Sequence, residues 1–234
     1  MINLSNKSPN FPDSSRKIGV FPALKKRRQH QSNIWFFDSP KNNKRLIITS
    51  DLAFMHLVIL EGDVSVTRYH VNPEPINTNV EGVQKDISIG AYVYRGNALE
   101  WWDFKRLQNK KDVNKQNASD SYFKTIAAAS SLATYHVKTD VDLKGQEILF
   151  DNWLTLCAAI TRCRGHFLGR EATIFSERLA LQHAVTLENL LTIPSIDVAY
   201  MLAVVALALQ NGSLRCNLNS QLINRQTLLS RRES

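Results

Sequence analysis

The chain has 234 residues, of which 44 % are hydrophobic, and a formal net charge of +8. This is typical of a soluble globular protein with one large domain or two small ones. Its three cysteines include no CxxC pair, which argues against a disulfide framework or a zinc site and fits a reducing cytosol. The polar N-terminus is no secretory signal, and the longest apolar stretch, 198–209, is shorter than the roughly 20 residues that span a bilayer.

The positive charge lies at the start of the chain. Residues 1–48 hold ten Lys/Arg and two Asp, whereas the remainder holds nineteen of each sign. We predict that residues 1–30 form a basic, flexible arm that ends in the run Lys25-Lys26-Arg27-Arg28. A basic arm on a neutral body favours a nucleic-acid partner, with these four residues contacting phosphates. The alternative is a solvated tail that keeps the protein soluble.

Residues 31–168 have the pattern of an α/β domain with a mixed sheet. Residues 46–48 indicate a short strand, and a helix capped by Thr49 or Ser50 follows and ends at Gly62. Residues 64–70 are predicted to be extended and residues 77–85 to be a loop. Two strands, from Ile87 to Val93 and from Ala98 to Leu107, then form a hairpin around the turn at 95–97.

The rest of the chain alternates helix and strand and then becomes helical. A loop is predicted over 108–119, a helix over 122–134, a strand over 135–141 and a helix over 148–162. Helical patterns then cover 175–191 and 195–210, and 214–218 could be a strand. We therefore predict a small winged-helix-like domain over 169–234, which would contact DNA or partner proteins. The strong apolarity of 195–210 indicates burial rather than major-groove reading.

The predicted hairpin carries the residues with the clearest chemistry. Asp86 starts its first strand, and Asp103 and Lys105 lie two apart on the second, so they share a face. Two converging carboxylates offer the oxygen ligands that Mg²⁺ (or Mn²⁺) prefers. Such an ion can activate water and the lysine can neutralise developing charge, which is the chemistry of phosphodiester hydrolysis. The competing interpretation is a surface hairpin with a cross-strand ion pair.

These residues, together with the segments 39–43, 50–54, 60–61, 66–69 and 212–215, resemble the TnsA subunit of heteromeric transposases. That family has a restriction-endonuclease-like fold of the PD-(D/E)xK type, a mixed sheet with flanking helices. The resemblance implies a Mg²⁺-dependent DNA endonuclease that cuts one strand, the 5′ non-transferred one, at transposon ends. It also implies two protein partners, a DDE-type transposase and an AAA+ ATPase regulator, and a prokaryotic cytoplasm, with the protein on the nucleoid when it acts.

The sequence departs from the family pattern at three positions. Lys85 stands in place of the motif's proline, and Asp103 in place of a Glu or Gln. The helix glutamate of the family falls on Ala53, where a capping box would also favour a carboxylate. Either the natural protein has Ala53 and uses another acid, with Glu61 the nearest candidate, or a deliberate Glu→Ala change traps an uncleaved DNA complex. The otherwise intact motif favours the second explanation.

Two further hypotheses compete with the endonuclease. One is a catalytically silent nuclease-fold module that bridges DNA and other transposition proteins, which Ala53 favours. The other is a stand-alone restriction or resolvase-type nuclease. Lys110 and Lys111, which follow the hairpin, are candidate phosphate contacts by position. Trp101 could stack on a nucleotide but fits a packed aromatic better, and His56 is expected to be structural. The aromatic run of residues 35–37 is expected to lie in the core.

Overall fold

A computed structural model describes residues 33–80, 82–107 and 115–232. The first elements are an antiparallel hairpin, β1 (Trp35–Ser39) and β2 (Lys44–Ile48), and a helix, α1 (Asp51–Leu60). The Ser50 hydroxyl accepts a hydrogen bond from the Ala53 N–H, which satisfies one of the free donors of the first turn. The predicted capped helix is therefore confirmed.

The centre of the molecule is a four-stranded mixed sheet. The strands that follow α1 are β3 (Val66–Val71), β4 (Ile76–Val80), β5 (Val83–Ile87), β6 (Ala91–Arg95), β7 (Ala98–Lys105) and β8 (Ala133–Thr139). The sheet has the order β3-β6-β7-β8, in which β7 and β8 are parallel and the other pairs are antiparallel. The predicted α/β class with a mixed sheet is confirmed.

The segment predicted as a loop at 77–85 is instead a separate hairpin of β4 and β5. Its polar residues alternate with Ile76, Val80 and Ile87, and Val80 and Ile87 are buried. A ribbon with only one buried face needs few apolar residues, and those few were not enough to indicate strands in the sequence.

Helices cover both faces of the central sheet. The helix α2 (Lys115–Ser130) precedes β8, so the predicted loop at 108–119 is wrong for its last residues, while 108–114 lie outside the described residues. A 3-10 turn (Val141–Leu143) leads to α3 (Glu147–Arg162). The smaller apolar cluster joins Trp101 and Ile87 to the alanines of α2, and the larger one joins Trp102 to α1 and α3. Neighbouring residues of β7 thus face different cores.

The C-terminal part has the order helix, strand, two helices and hairpin. Its elements are α4 (Gly169–Leu181), β9 (Ala184–Thr186), α5 (Leu187–Leu191), α6 (Val198–Gln210), β10 (Leu214–Arg215) and β11 (Leu228–Arg231). The three strands form a small sheet in the order β10-β11-β9. The continuous helix predicted over 175–191 is wrong, because β9 interrupts it.

The larger core extends from the first hairpin to the last strand and crosses the predicted boundary at 168–169. It contains Phe37 from β1, Leu156 from α3 and Leu229 from β11. The helix α6 contributes most of its residues to this core, as the apolarity of 195–210 predicted. None of the helices in the described ranges is long and apolar enough to pass through a membrane.

Candidate functional site

Asp103 lies in a polar cluster between the central sheet and α2, and it is only 8 % exposed. Its Oδ2 accepts hydrogen bonds from the Lys124 ammonium at 2.6 Å and from the Tyr135 hydroxyl at 2.8 Å. Its Oδ1 accepts one from the Gly90 N–H at 3.2 Å. Burial, and then the charge of Asp103, raise the pKa of Tyr135, so this hydroxyl stays a donor at neutral pH.

The cluster continues from Asp103 as a chain of alternating charges. Lys124 also contacts Asp120 at 3.2 Å, and Asp120 contacts Lys85 of β5 at 3.0 Å. Burial alone would raise the pKa of Asp120, but the hydrogen bonds from Lys85 and Lys124 outweigh it and lower that pKa. Two carboxylates and two ammonium groups therefore neutralise one another, with the Asp103–Lys124 pair buried and Lys85 and Asp120 partly exposed. We call Lys85, Asp120, Lys124 and Asp103 the charge chain.

Asp86 does not join Asp103, contrary to the predicted hairpin. The strand paired with β7 begins at Ala91, so Asp86 belongs to the β4–β5 ribbon and not to the hairpin. There its Oδ1 accepts from the Asn77 amide at 2.7 Å, in an exposed position. Lys85 and Ile87 face α2, and Asp86, between them, points to the other face of the ribbon. The two carboxylates therefore do not form the predicted metal pair.

Gly90 occupies the place opposite Asp103. Ala91 pairs with Trp102, and the next position along the hairpin brings Gly90 to Asp103, where the hydrogen bond between them forms. A Cβ at Gly90 would lie 2.8 Å from the Phe104 ring and 2.9 Å from the Trp102 carbonyl oxygen. The backbone is thus too close for any side chain to supply a second carboxylate at this position.

Ala53 and Asp103 lie on opposite faces of the sheet. Ala53 is 6 % exposed and packs in the larger core, on the side of Trp102. Asp103 points with Trp101 towards α2. A glutamate at position 53 would enter an apolar core instead of meeting the carboxylate of Asp103.

Glu61, the other candidate acid, is fully buried and is hydrogen-bonded to several parts of the fold. Its carboxylate accepts from the hydroxyls of Ser39 and Tyr69, the N–H of Lys41 and the amide of Gln210. Burial raises its pKa, and these hydrogen bonds act in the opposite direction. Because its oxygens already serve four donors from β1, the β1–β2 turn, β3 and α6, Glu61 has no free position for a metal ion or a water nucleophile.

Lys105 shares a face with Asp103, as predicted, and its ammonium lies 3.4 Å from the Ser121 hydroxyl of α2. Trp101 is 2 % exposed and packed, and His56 is buried with Nε2 donating to the Thr139 carbonyl at 3.0 Å. Both interpretations of these two rings as structural are confirmed. The predicted DNA contacts at Lys25, Lys26, Arg27, Arg28, Lys110 and Lys111 lie outside the described residues.

The donor set around Asp103 does not fit Mg²⁺ or Mn²⁺. These ions need several oxygen ligands, and the one carboxylate present is already neutralised by an ammonium at 2.6 Å. Nowhere in the described ranges do three or more His, Cys, Asp or Glu side chains lie together so that they could hold a metal ion. Lys124, Tyr135 and Asp120 were not identified from the sequence, in which the spacing of Asp120 and Lys124 indicates only a helix-surface pair.

No protein-family model matches this chain, and a search of curated proteins finds no significant relative.

Proposed function

We propose that this chain is a catalytically silent module with a nuclease-like fold, which binds DNA and partner proteins in a transposition complex. The observation that carries the proposal is the salt bridge between Asp103 and Lys124. In a metal-dependent nuclease the corresponding carboxylate must hold a cation and a water molecule. Here a side-chain ammonium takes the position of the cation, and it can neither activate water nor bind a phosphoryl oxygen in addition without leaving Asp103.

The arrangement of the elements supports the nuclease-like ancestry. Apart from the β4–β5 hairpin between β3 and β6, the sequence of elements is helix, strand, hairpin, helix and strand, from α1 through β3, β6, β7 and α2 to β8. A DxK pair, Asp103 and Lys105, lies on the second strand of the hairpin and faces α2. The restriction-endonuclease-like fold and the likeness to TnsA are part of this proposal.

The C-terminal part supports a role in protein contacts. Its order of helix, strand, two helices and hairpin resembles that of a winged helix, in which the last helix would read the major groove. Here that helix, α6, buries most of its residues between Met201 and Leu209, which leaves little of its surface for contact with a groove. We therefore assign DNA contacts to the N-terminal region, and contacts with a DDE-type transposase or an AAA+ ATPase regulator to the C-terminal surface.

The competing proposal is the active Mg²⁺-dependent endonuclease that cuts the 5′ strand at transposon ends. The shared face of Asp103 and Lys105 favours it. It requires that Lys124 leave Asp103 and that other acidic side chains approach. Positions 53 and 90 cannot supply them, because they are alanine and glycine.

Strand cleavage distinguishes the two proposals. The chain, its Ala53→Glu variant and an Asp103→Ala control are incubated with cognate ends and the partner transposase in Mg²⁺ or Mn²⁺. We expect all three to be equally inert while the chain still binds DNA. Metal-dependent cleavage by the unmodified chain that Asp103→Ala abolishes would refute the silent module. The melting temperature of each variant shows whether inertness follows from unfolding.

A further inference from the structure

The outer face of β3 and β6 carries a basic cleft with tyrosine walls. It has a volume of about 510 Å³ and is lined by Lys41, Asn42, Lys44, Arg68, Tyr69, His70, Pro73, Tyr92 and Tyr94. Among the residues that the structure describes, no carboxylate lines it, although residues 49–234 as a whole hold as many acidic as basic residues. A lining that is rich in donors and lacks acids is suited to an anion.

The sheet register determines how the lining groups are arranged. Arg68 pairs with Tyr94, and His70 pairs with Tyr92, so the four side chains form a block on one face of two adjacent strands. The guanidinium of Arg68 lies 4.4 Å from the centre of the Tyr94 ring. Neighbouring strands are about 4.8 Å apart. The block thus presents cations and hydroxyl donors a few ångströms from one another along an open surface.

Two of the cations are free to bind a ligand. None of the ion pairs formed by the described residues includes Lys44 or Arg68, and both side chains are exposed. Lys41 instead forms a contact within the protein, since its ammonium donates a hydrogen bond to the Val66 carbonyl at 2.8 Å. Burial lowers the pKa of Lys41. Burial raises the pKa of Tyr92, so its hydroxyl is a donor at neutral pH.

We infer that this cleft holds the phosphate backbone of DNA, with Lys44 and Arg68 on successive phosphates and the tyrosine hydroxyls donating to the phosphate oxygens. The cleft is open along the sheet and is larger than one phosphate needs, and the basic composition of residues 1–30 adds a second attraction for the same polyanion. Hydroxyls, arginine and lysine are the groups that position proteins on nucleic-acid backbones. The inference deepens the proposed function, because it places the DNA contact of the silent module.

The test compares two variants with the same loss of charge. In Lys44→Ala/Arg68→Ala the cleft loses both free cations, and in Arg170→Ala/Arg215→Ala the protein loses two exposed cations of the C-terminal part. The full chain is titrated into labelled single-stranded and duplex DNA, and fluorescence anisotropy is followed at several salt concentrations. The cleft variant should lose roughly tenfold in affinity at about 0.15 M salt, and the slope of log K against log salt should fall by about 2.

The outcomes separate the inference from the proposed function. Binding by the unmodified chain with equal slopes for both variants would overturn the cleft and leave the proposed function intact. Failure of the unmodified chain to bind any DNA would overturn both. If inorganic phosphate alone binds the unmodified chain and not the cleft variant, while both proteins bind DNA equally, the cleft is a small-anion site and the inference is wrong. The single-stranded and duplex arms show which form of DNA the cleft prefers.

Discussion

Replacement of Lys124 by Met should destabilise the protein more than the loss of a surface charge does. The side chains of Lys124 and Asp103 are only 10 % and 11 % exposed to solvent, so they form a buried ion pair. Removing one partner of such a pair costs about 3–5 kcal/mol, because the other charge stays buried. Asp103 keeps the Tyr135 hydroxyl and the Gly90 N–H, which places the expected cost near the lower end, about 3 kcal/mol.

The assay is urea unfolding of four proteins in a double-mutant cycle: the unmodified chain, Lys124→Met, Asp103→Asn and the combination. The combination should lose less free energy of unfolding than the sum of the single changes, because neither group is then left charged and unpaired. For a domain of this size, about 3 kcal/mol corresponds to a fall in melting temperature of roughly 6–12 °C. The Arg45→Met change is the control, since the ion pair of Arg45 with Asp38 is exposed to solvent and contributes little to stability. If Lys124→Met lowers the free energy of unfolding no more than this control does, the ammonium does not neutralise a buried carboxylate. That result would contradict a silent site at Asp103.

Three further changes test other parts of the molecule. The Ala53→Glu change should lower the free energy of unfolding by about 2–4 kcal/mol, measured by urea titration, because it buries an unpaired carboxyl group; an unchanged stability would contradict the assigned core position. The Glu61→Gln change should cost about 2–3 kcal/mol and should also remove a pH dependence. The folded pKa of Glu61 is raised above its ordinary value of 4.5, so its contribution to stability is full below pH 4.5 and is lost as pH rises through the folded pKa. The curve of melting temperature against pH should therefore be flatter in the variant than in the unmodified chain over this window. Deletion of residues 1–30 should reduce the salt dependence of DNA binding by the full chain, and an unchanged slope would show that the arm makes no phosphate contacts.

The sequence predicted the local elements well where the local signal is strong. The turn at Arg95-Gly96-Asn97, flanked by alternating apolar residues, indicated the hairpin that the structure contains as β6 and β7. The cap at Ser50 and the burial of α6 were also predicted correctly. These features depend on neighbours within a few residues, and such interactions are present in the sequence itself.

The aromatic run of residues 35–37 in β1 was predicted less well. The expected core position is correct for Phe37, whereas Phe36 is 65 % exposed and Trp35 lies at the surface, stacked on Phe54 with ring centres 4.3 Å apart. Alternation along β1 places neighbouring rings on opposite faces, and only one face of this hairpin is covered.

The partners of the candidate site were decided by the tertiary structure. Asp86 and Asp103 were expected to converge because a single long strand was assumed from residue 87 onwards. The chain instead leaves one ribbon at Ile87 and enters the central sheet at Ala91, so the carboxylates belong to different sheets. A break of three residues in an extended segment changes which strand is the neighbour, and composition does not reveal it.

The sequence by itself determined the α/β class, the basic N-terminal region and the face that Asp103 and Lys105 share, because periodicity and composition are local properties of a chain. Only the tertiary structure decided that Lys124, from a helix that follows in the chain, neutralises Asp103, and that four donors surround Glu61. The energy of a charge depends on its burial and on its partners in space, and these are fixed when distant elements pack together.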